Sequence, residues 1–216
     1  MTSITLSVIM PVYNRFDLTI QAIQGLRQLT TAYEIIVVDD ASESPHQLEA
    51  LLTAGYIQKL VRHDENVGFS ESCNHGAELA EGEYLLFLNN DVVVMGDFAS
   101  EMITKAQREA VVGAQLFSHD TGWNRFGEVV VPYIAGWCLL LHHDLYELVQ
   151  GFDTRYSPYD YEDMDLCFHL MTRGYKILEV PGPIHHLGGQ SFVGIEGKRR
   201  AITETNRAKF AEKWKL

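Results

Sequence analysis

A chain of 216 residues fits one domain and can bury about 70% of its extended surface, so a full hydrophobic core is within reach. Its 29 acidic against 17 basic residues give a net charge of −12, which excludes general affinity for nucleic acid, because no basic stripe is available to displace counterions. A small diphosphate stays admissible, since Mg²⁺ or Mn²⁺ can sit between phosphate oxygens and carboxylates. Cys73, Cys138 and Cys167 are widely spaced, offer neither a zinc knuckle nor a disulfide framework, and point to a reducing compartment.

The first residues lack a basic, apolar and cleavable leader and already read as strand. Apolar runs at residues 6–10, 34–38, 57–62 and 84–88 predict strands. Amphipathic stretches at 18–29, 45–54, 70–81 and 98–109 predict the helices that follow them. This alternation predicts a single α/β domain with a mostly parallel central sheet flanked by helices. Ser70 reads as the N-cap of the third helix and Gly82 as its stop. Beyond them, residues 111–117, 134–141 and 175–180 predict strands, while 144–149, 163–172 and 196–214 predict helices. The apolar segment 133–141 is too short to span a bilayer. A cytoplasmic chain is expected, with peripheral docking at the inner membrane face and a homodimer both left open. The loops of the second half carry Trp123, Phe126, Tyr133, Tyr156, Tyr159 and Tyr161, rings that either stack on sugar faces or close the edge of a core.

Two of the apolar runs end in polar clusters, Val37-Val38-Asp39-Asp40 and Leu86-Phe87-Leu88-Asn89-Asn90-Asp91. Open α/β sheets bind ligands outside the carboxyl ends of their strands, so Tyr13, Asp39, Asn66 and Asp91 are expected to converge on one edge. A third acidic cluster follows at Glu162-Asp163-Met164-Asp165. The first turn, Met10-Pro11-Val12-Tyr13-Asn14, has no glycine-rich dinucleotide fingerprint, and no Walker lysine motif is present, which argues against redox and P-loop roles. Phosphates would then be held by metal and a few side chains, as in a nucleotide-using transferase. Plainer readings stand beside this one. Asp39 and Asp40 could cap the helix after them, Asn89-Asn90-Asp91 could be a turn held by amides, and residues 162–165 could be an acidic patch stabilised by a helix dipole.

Taken in order, several blocks resemble the family 2 glycosyltransferases with the GT-A fold. They are Ser7-Val8-Ile9-Met10-Pro11-Val12-Tyr13-Asn14, Ile35-Ile36-Val37-Val38-Asp39-Asp40-Ala41-Ser42 and Asn66-Val67-Gly68-Phe69 with Asn74 and Gly76. Then come Leu86-Phe87-Leu88-Asn89-Asn90-Asp91, Tyr161-Glu162-Asp163-Met164-Asp165-Leu166-Cys167, Gly174-Tyr175-Lys176-Ile177 and His186-Leu187-Gly188-Gly189-Gln190-Ser191-Phe192. The resemblance implies an enzyme that moves a hexose-type sugar with inversion from a nucleotide-diphosphate donor, UDP or dTDP favoured. The acceptor would be a saccharide or lipid-linked saccharide hydroxyl in bacterial surface-polysaccharide assembly.

Carried over by residue, the resemblance implies that Pro11, Tyr13 and Asp39 line the nucleobase pocket, with Asn66, Gly68 and Asn74 near base and ribose. Asp39 would accept from a uracil or thymine N3–H. Asp91 and His186 would hold Mg²⁺ or Mn²⁺ against the diphosphate, Asn90 would touch ribose or sugar, and Trp137 after Gly136 would wall the donor sugar or acceptor. Asp163 would be the general base, Glu162 would orient the acceptor hydroxyl, and Asp165 would brace its helix. Residues 1–91 form the expected nucleotide half and 92–216 the acceptor half with the C-terminal helix. Gly188-Gly189-Gln190-Ser191-Phe192 is expected to form a loop entrance. Lys198, Arg199 and Arg200 would either reach phosphate or an anionic acceptor, or form a solvated face. Two departures matter: Asn89 and Asn90 stand in a motif that is richer in acids in relatives, and His169 stands where many carry arginine. The first motivates the alternative of a non-catalytic carbohydrate-binding or scaffold module that keeps the fold.

Overall fold

The computed structural model describes residues 4–189 and 196–216. In the first half, β1 (Leu6–Val12), α1 (Phe16–Leu26), β2 (Tyr33–Asp39), α2 (His46–Thr53), β3 (Lys59–Arg62), α3 (Phe69–Glu78) and β4 (Tyr84–Leu88) follow the predicted alternation. They lead to β5 (Val92–Val94), α4 (Ala99–Ala106) and β6 (Ala110–Gly113). Four short strands come next, β7 (Leu116–Phe117), β8 (Arg125–Phe126), β9 (Val129–Val130) and β10 (Tyr133–Ile134), and then β11 (Cys138–His142). The chain continues through α5 (His143–Leu148), α6 (Glu162–Thr172), β12 (Lys176–Glu179), β13 (Ile184–His186) and α7 (Glu196–Trp214). Among the described residues no helix is long and apolar enough to cross a membrane.

The central sheet has the order β12-β6-β11-β4-β1-β2-β3, and only β11 runs against its neighbours. Both faces are covered, which explains why the strands read as unbroken apolar runs. Val8, Met10, Leu86 and Leu88 pack on one face with Ala22 and Ile23 of α1 and Met102 of α4. Ile9, Leu85 and Phe87 pack on the other with Cys73 of α3, Leu145 of α5 and Leu166 of α6. Each such side chain, fully buried, contributes about 1.5–3 kcal/mol. A third cluster joins Phe126, Tyr156, Tyr161 and Met164 to Phe210 of α7. Several of the loop rings therefore close a core edge, whereas Trp123 stays 39% exposed.

Four local expectations need correction. α3 starts after Gly68, not at Ser70, whose hydroxyl is buried without a hydrogen-bond partner. The loop ahead of the helix is held instead by Asp40, which accepts from the Val67 and Gly68 N–H groups, both at 2.9 Å. The same helix ends at Glu78, and Gly82 lies in the turn into β4, where a Cβ would meet the Ser7 backbone nitrogen at 2.5 Å. The predicted strand at 111–117 splits into β6 and β7, and that at 134–141 into β10 and β11. In the second case Ala135-Gly136-Trp137 turns aside because its backbone is claimed elsewhere: Gly136 N–H donates to Asp163, and Trp137 C=O accepts from Asn89 N–H.

Candidate active site

The strand order reverses beside β1: the chain runs outward through β2 and β3, then returns to lay β4 on the other side. Ligand crevices of open α/β sheets form at such a switch point, beyond the carboxyl ends of the strands. Pairing of β1 with β4 stops at Ile9 and Phe87, while β1 stays paired with β2 as far as Val12, so the edge of Pro11 towards β4 is open. Tyr13 follows, 43% exposed, and then Asn14 and Arg15 take up left-handed backbone angles with φ of 57° and 51°. Consecutive non-glycine residues in that region carry strain, which concentrates at functional loops. Asn14 is tied across to the β2 turn by its N–H to Ser42 Oγ at 2.8 Å.

Asp39 ends β2 and is buried. One carboxylate oxygen accepts from Ser42 N–H at 3.0 Å, and the other accepts from Arg62, which also donates to Ser42 C=O at 2.9 Å. Arg62 arrives there because β2 and β3 pair in parallel with Asp39 level with Arg62. The sequence offered only its place at the end of an apolar run, and the register that aligns it with Asp39 is written in neither strand. Asp40 faces the other way, into the loop after β3. It accepts from Val67, Gly68 and the His63 Nδ1 side, and His63 stacks on His75 with ring nitrogens 3.1 Å apart. Neither acid caps α2, whose N-cap is Pro45. Asn66 donates to Asp40 C=O at 3.4 Å, and Gly68, at φ +95°, passes so close to Pro158 that a Cβ would meet its backbone at 2.6 Å. Asn74 is used inside the fold, where its amide bonds Phe152 N–H and C=O and the Tyr146 hydroxyl.

At the end of β4, Asn90 is buried and donates to Thr19 Oγ1 of α1 at 3.0 Å, another partner that spacing did not reveal. Asp91 Oδ1 and His186 Nε2 lie 3.0 Å apart, with Asn89 Nδ2 3.4 Å from the same ring nitrogen. The antiparallel pairing of β13 with β5 brings His186 level with Val92, beside Asp91, and leaves His185 exposed. Trp137 lies flat on the His186 ring, with centroids 4.9 Å apart and planes 8° from parallel.

Among the described residues no three His, Cys, Asp or Glu side chains gather into a metal cage. Two protein donors nevertheless fit a cation that keeps water and substrate oxygens as its other ligands. Asp91 Oδ1 and His186 Nε2 lie 3.0 Å apart, within hydrogen-bond reach, so both could turn to one ion held between them. A mixed carboxylate and imidazole set suits Mn²⁺ at least as well as Mg²⁺.

The third acidic cluster opens α6. Asp160 and Tyr161 before it adopt φ of 70° and 84°, and Asp160 is held by Arg199 at 2.8 and 3.2 Å and by Thr203 at 2.6 Å. Asp163 accepts from Gly136 N–H at 2.8 Å and from Met164 N–H at 2.7 Å. Burial pushes its carboxyl up to about 6, against the pull of those two N–H groups. Glu162 is buried, its Oε2 has no hydrogen-bond partner, and burial followed by the charge of Asp163 raises it well above the usual carboxylate range. Asp165 braces the helix, accepting from Tyr156 Oη, Trp214 Nε1 and Lys213 Nζ.

Asp163 and the Asp91–His186 pair are therefore linked by one dipeptide: Gly136 N–H holds the first, and the Trp137 indole covers the second. Among the basic residues of α7, Arg200 pairs with Glu204 one turn away. The expected loop entrance at Gln190-Ser191-Phe192 lies outside the described residues.

A largely parallel sheet covered on both faces, with polar strand ends around a switch-point crevice, is the GT-A architecture. Residues 7–172 match the model of glycosyl transferase family 2, and the chain belongs to that family. It is 27% identical over 209 residues to the O-antigen biosynthesis protein RfbC of Myxococcus xanthus, across 80% of this chain and 16% of that protein. Its fold is similar to the mannosyltransferase PcManGT from Pyrobaculum calidifontis in complex with GDP-Man and Mn²⁺. The TM-score there is 0.66 at 20% identity, across 82% of this chain and 54% of that one. It is likewise similar to GalNAc-T7 with UDP, GalNAc and Mn²⁺, with a TM-score of 0.70 at 14% identity across 86% and 44% of the two chains. At these identities the likeness is one of fold. The chain spans less than half the length of the curated relatives it matches.

Proposed function

We propose that this chain is an inverting glycosyltransferase that moves a hexose-type sugar from a nucleotide-diphosphate donor to a saccharide or lipid-linked saccharide hydroxyl. The observation that carries the proposal is the Gly136–Trp137 dipeptide, whose first residue holds a carboxylate of raised basicity and whose second covers a carboxylate–imidazole pair able to share one cation. Inversion needs a base on one side of the anomeric carbon and charge stabilisation for the leaving diphosphate on the other.

Asp163 takes the acceptor proton at Oδ1 or Oδ2 as the new glycosidic bond forms, and the two N–H groups that hold it fix its aim. Glu162, buried and with a raised proton affinity, stands next to it to orient the acceptor side of the cleft. Asp91 and His186 would hold Mn²⁺ or Mg²⁺, which when bound would neutralise charge building on the diphosphate. Tyr13 offers an exposed ring for the base, Asp39 the remaining lone pairs of its carboxylate, and Pro11, Asn66 and Gly68 the neighbouring walls. Asn74 and Asn90 support that pocket from within, and Trp137 bounds it on the side of the sugar. Residues 1–91 supply the donor half and 92–216 the acceptor half.

UDP or dTDP is favoured as donor nucleotide on the family resemblance, and the O-antigen name of one relative supports a setting in surface-glycan assembly at the cytoplasmic face. A donor-by-acceptor screen with mass readout is the test, with the anomeric configuration of any product read by NMR. A glycoside of inverted configuration from a UDP or dTDP donor is the expected result. A product of retained configuration overturns the mechanism. Saccharide binding without donor turnover across a broad panel indicates the carbohydrate-binding module instead.

A further inference from the structure

Trp137 touches the β4 turn and His186, and follows the residue that holds Asp163, without carrying a group that reacts. Its C=O accepts from Asn89 N–H at 2.9 Å, and the peptide N–H before it, that of Gly136, holds Asp163. Its indole Nε1–H donates to Gln115 Oε1 at 2.9 Å, which fixes the rotation of the ring plane, and that plane lies on His186. His186 itself sits on β13, a three-residue strand that pairs with β5, another three-residue strand. So short a ladder holds the backbone of His186 but says little about its ring. The ring is aimed by what packs on it.

The aim is demanding. His186 Nε2 faces both an Asp91 oxygen at 3.0 Å and the Asn89 amide nitrogen at 3.4 Å. One ring nitrogen cannot donate to a carboxylate and accept from an amide at the same time. At most one of these two contacts is a hydrogen bond of Nε2, and the flat indole of Trp137 adds a restraint on the face of the ring. Outer-shell hydrogen-bond partners that orient a metal-binding histidine typically govern affinity by about 10–100-fold, and a stacked ring acts on the same orientation.

We infer that Trp137 is a positioning residue for His186: its indole, pinned by Gln115, holds the imidazole in the plane that presents Nε2 alongside Asp91. This rests on the metal role proposed above for Asp91 and His186. The test compares Trp137→Leu, Trp137→Phe, Gln115→Leu and His186→Ala with the wild type in the presence of UDP. Free Mn²⁺ is measured by electron paramagnetic resonance, and kcat and KM for Mn²⁺ are measured separately.

Trp137→Leu is expected to weaken Mn²⁺ binding by about tenfold, read from the free Mn²⁺ signal and from a raised KM for Mn²⁺. Trp137→Phe, which keeps a flat ring, should recover most of the affinity, and Gln115→Leu should show a smaller loss in the same direction. Should Trp137→Leu fail to fold, Gln115→Leu carries the comparison. Wild-type Mn²⁺ affinity in Trp137→Leu, or in Gln115→Leu where Trp137→Leu does not fold, overturns the inference while His186→Ala loses affinity. Unchanged affinity in His186→Ala overturns the metal reading beneath it.

Discussion

Asp163 owes its basicity to two opposed effects, burial that disfavours the charge and two backbone N–H groups that restore part of it. With a carboxyl pushed up to about 6, it is ionised at neutral pH yet a stronger base than a solvent-exposed aspartate. Turnover is therefore expected to rise with pH through about 6, because the protonated form below it cannot accept the hydroxyl proton. Asp163→Asn should lower kcat by about 10²–10⁴-fold with UDP affinity unchanged, measured by initial rates and calorimetry. A variant that kept its kcat would remove Asp163 from the reaction.

Glu162 gives a separate stability prediction. Its folded-state affinity for a proton exceeds that of the unfolded chain, so the native state is favoured at low pH, and that contribution is lost as pH rises through the folded value. Glu162→Gln copies the neutral acid. Urea unfolding from mildly acidic to alkaline pH should show a falling midpoint in the wild type and a flatter one in the variant, and parallel curves would mean that Glu162 is ionised throughout.

The start of α6 is held from below by α7. Asp165 is buried and accepts from Tyr156 Oη at 3.0 Å, Trp214 Nε1 at 2.8 Å and Lys213 Nζ at 2.7 Å, so two elements distant in sequence share one carboxylate. Removing one partner of a fully buried pair costs about 3–5 kcal/mol, and here Lys213 keeps Asp153 at 2.7 Å, which sets the low end of that range as the expectation. Asp165→Ala should lose stability of that order by urea unfolding, and UDP binding at the β1–β4 crevice should survive in the folded fraction; a loss below about 1 kcal/mol would show that the network is solvated. The rhythm of these elements was legible because it is local: β4 matches residues 84–88 and α7 matches 196–214 as predicted. The misses share a cause. Ser70 looked like a cap, but the loop is ordered by Asp40 from another strand. Residues 134–141 looked like one strand, since hydrophobicity continues through Ala135-Gly136-Trp137 while their hydrogen bonds turn to Asn89 and Asp163. The strand-end acids were legible as strand ends. The partners Arg62, Thr19 and Trp137 were not, because register and packing across elements assign them.

Across the molecule, a net charge of −12 opposes the approach of any diphosphate, and two arginines of this edge are already engaged, Arg62 with Asp39 and Arg15 with Asp17. On the metal role proposed for Asp91 and His186, a cation locally reverses the sign of the field, as bound divalent ions do. The dependence on monovalent salt follows. At 0.1 M salt the Debye length is about 10 Å, so added salt screens the repulsion from acidic groups across the surface. With a chelator present, the affinity for UDP should be weak and should rise as KCl is added, the opposite of what a basic phosphate pocket gives. With Mn²⁺ present the affinity should be higher, and it should fall with KCl, because attraction between the ion and the diphosphate now outweighs the repulsion and is itself screened. Calorimetric titration of UDP over a KCl series, with chelator and with Mn²⁺, reads both slopes. If UDP bound equally well with chelator and lost affinity as salt rose, basic side chains would be holding the phosphates, and the division of labour between Asp91–His186 and the rest of the crevice would have to be redrawn.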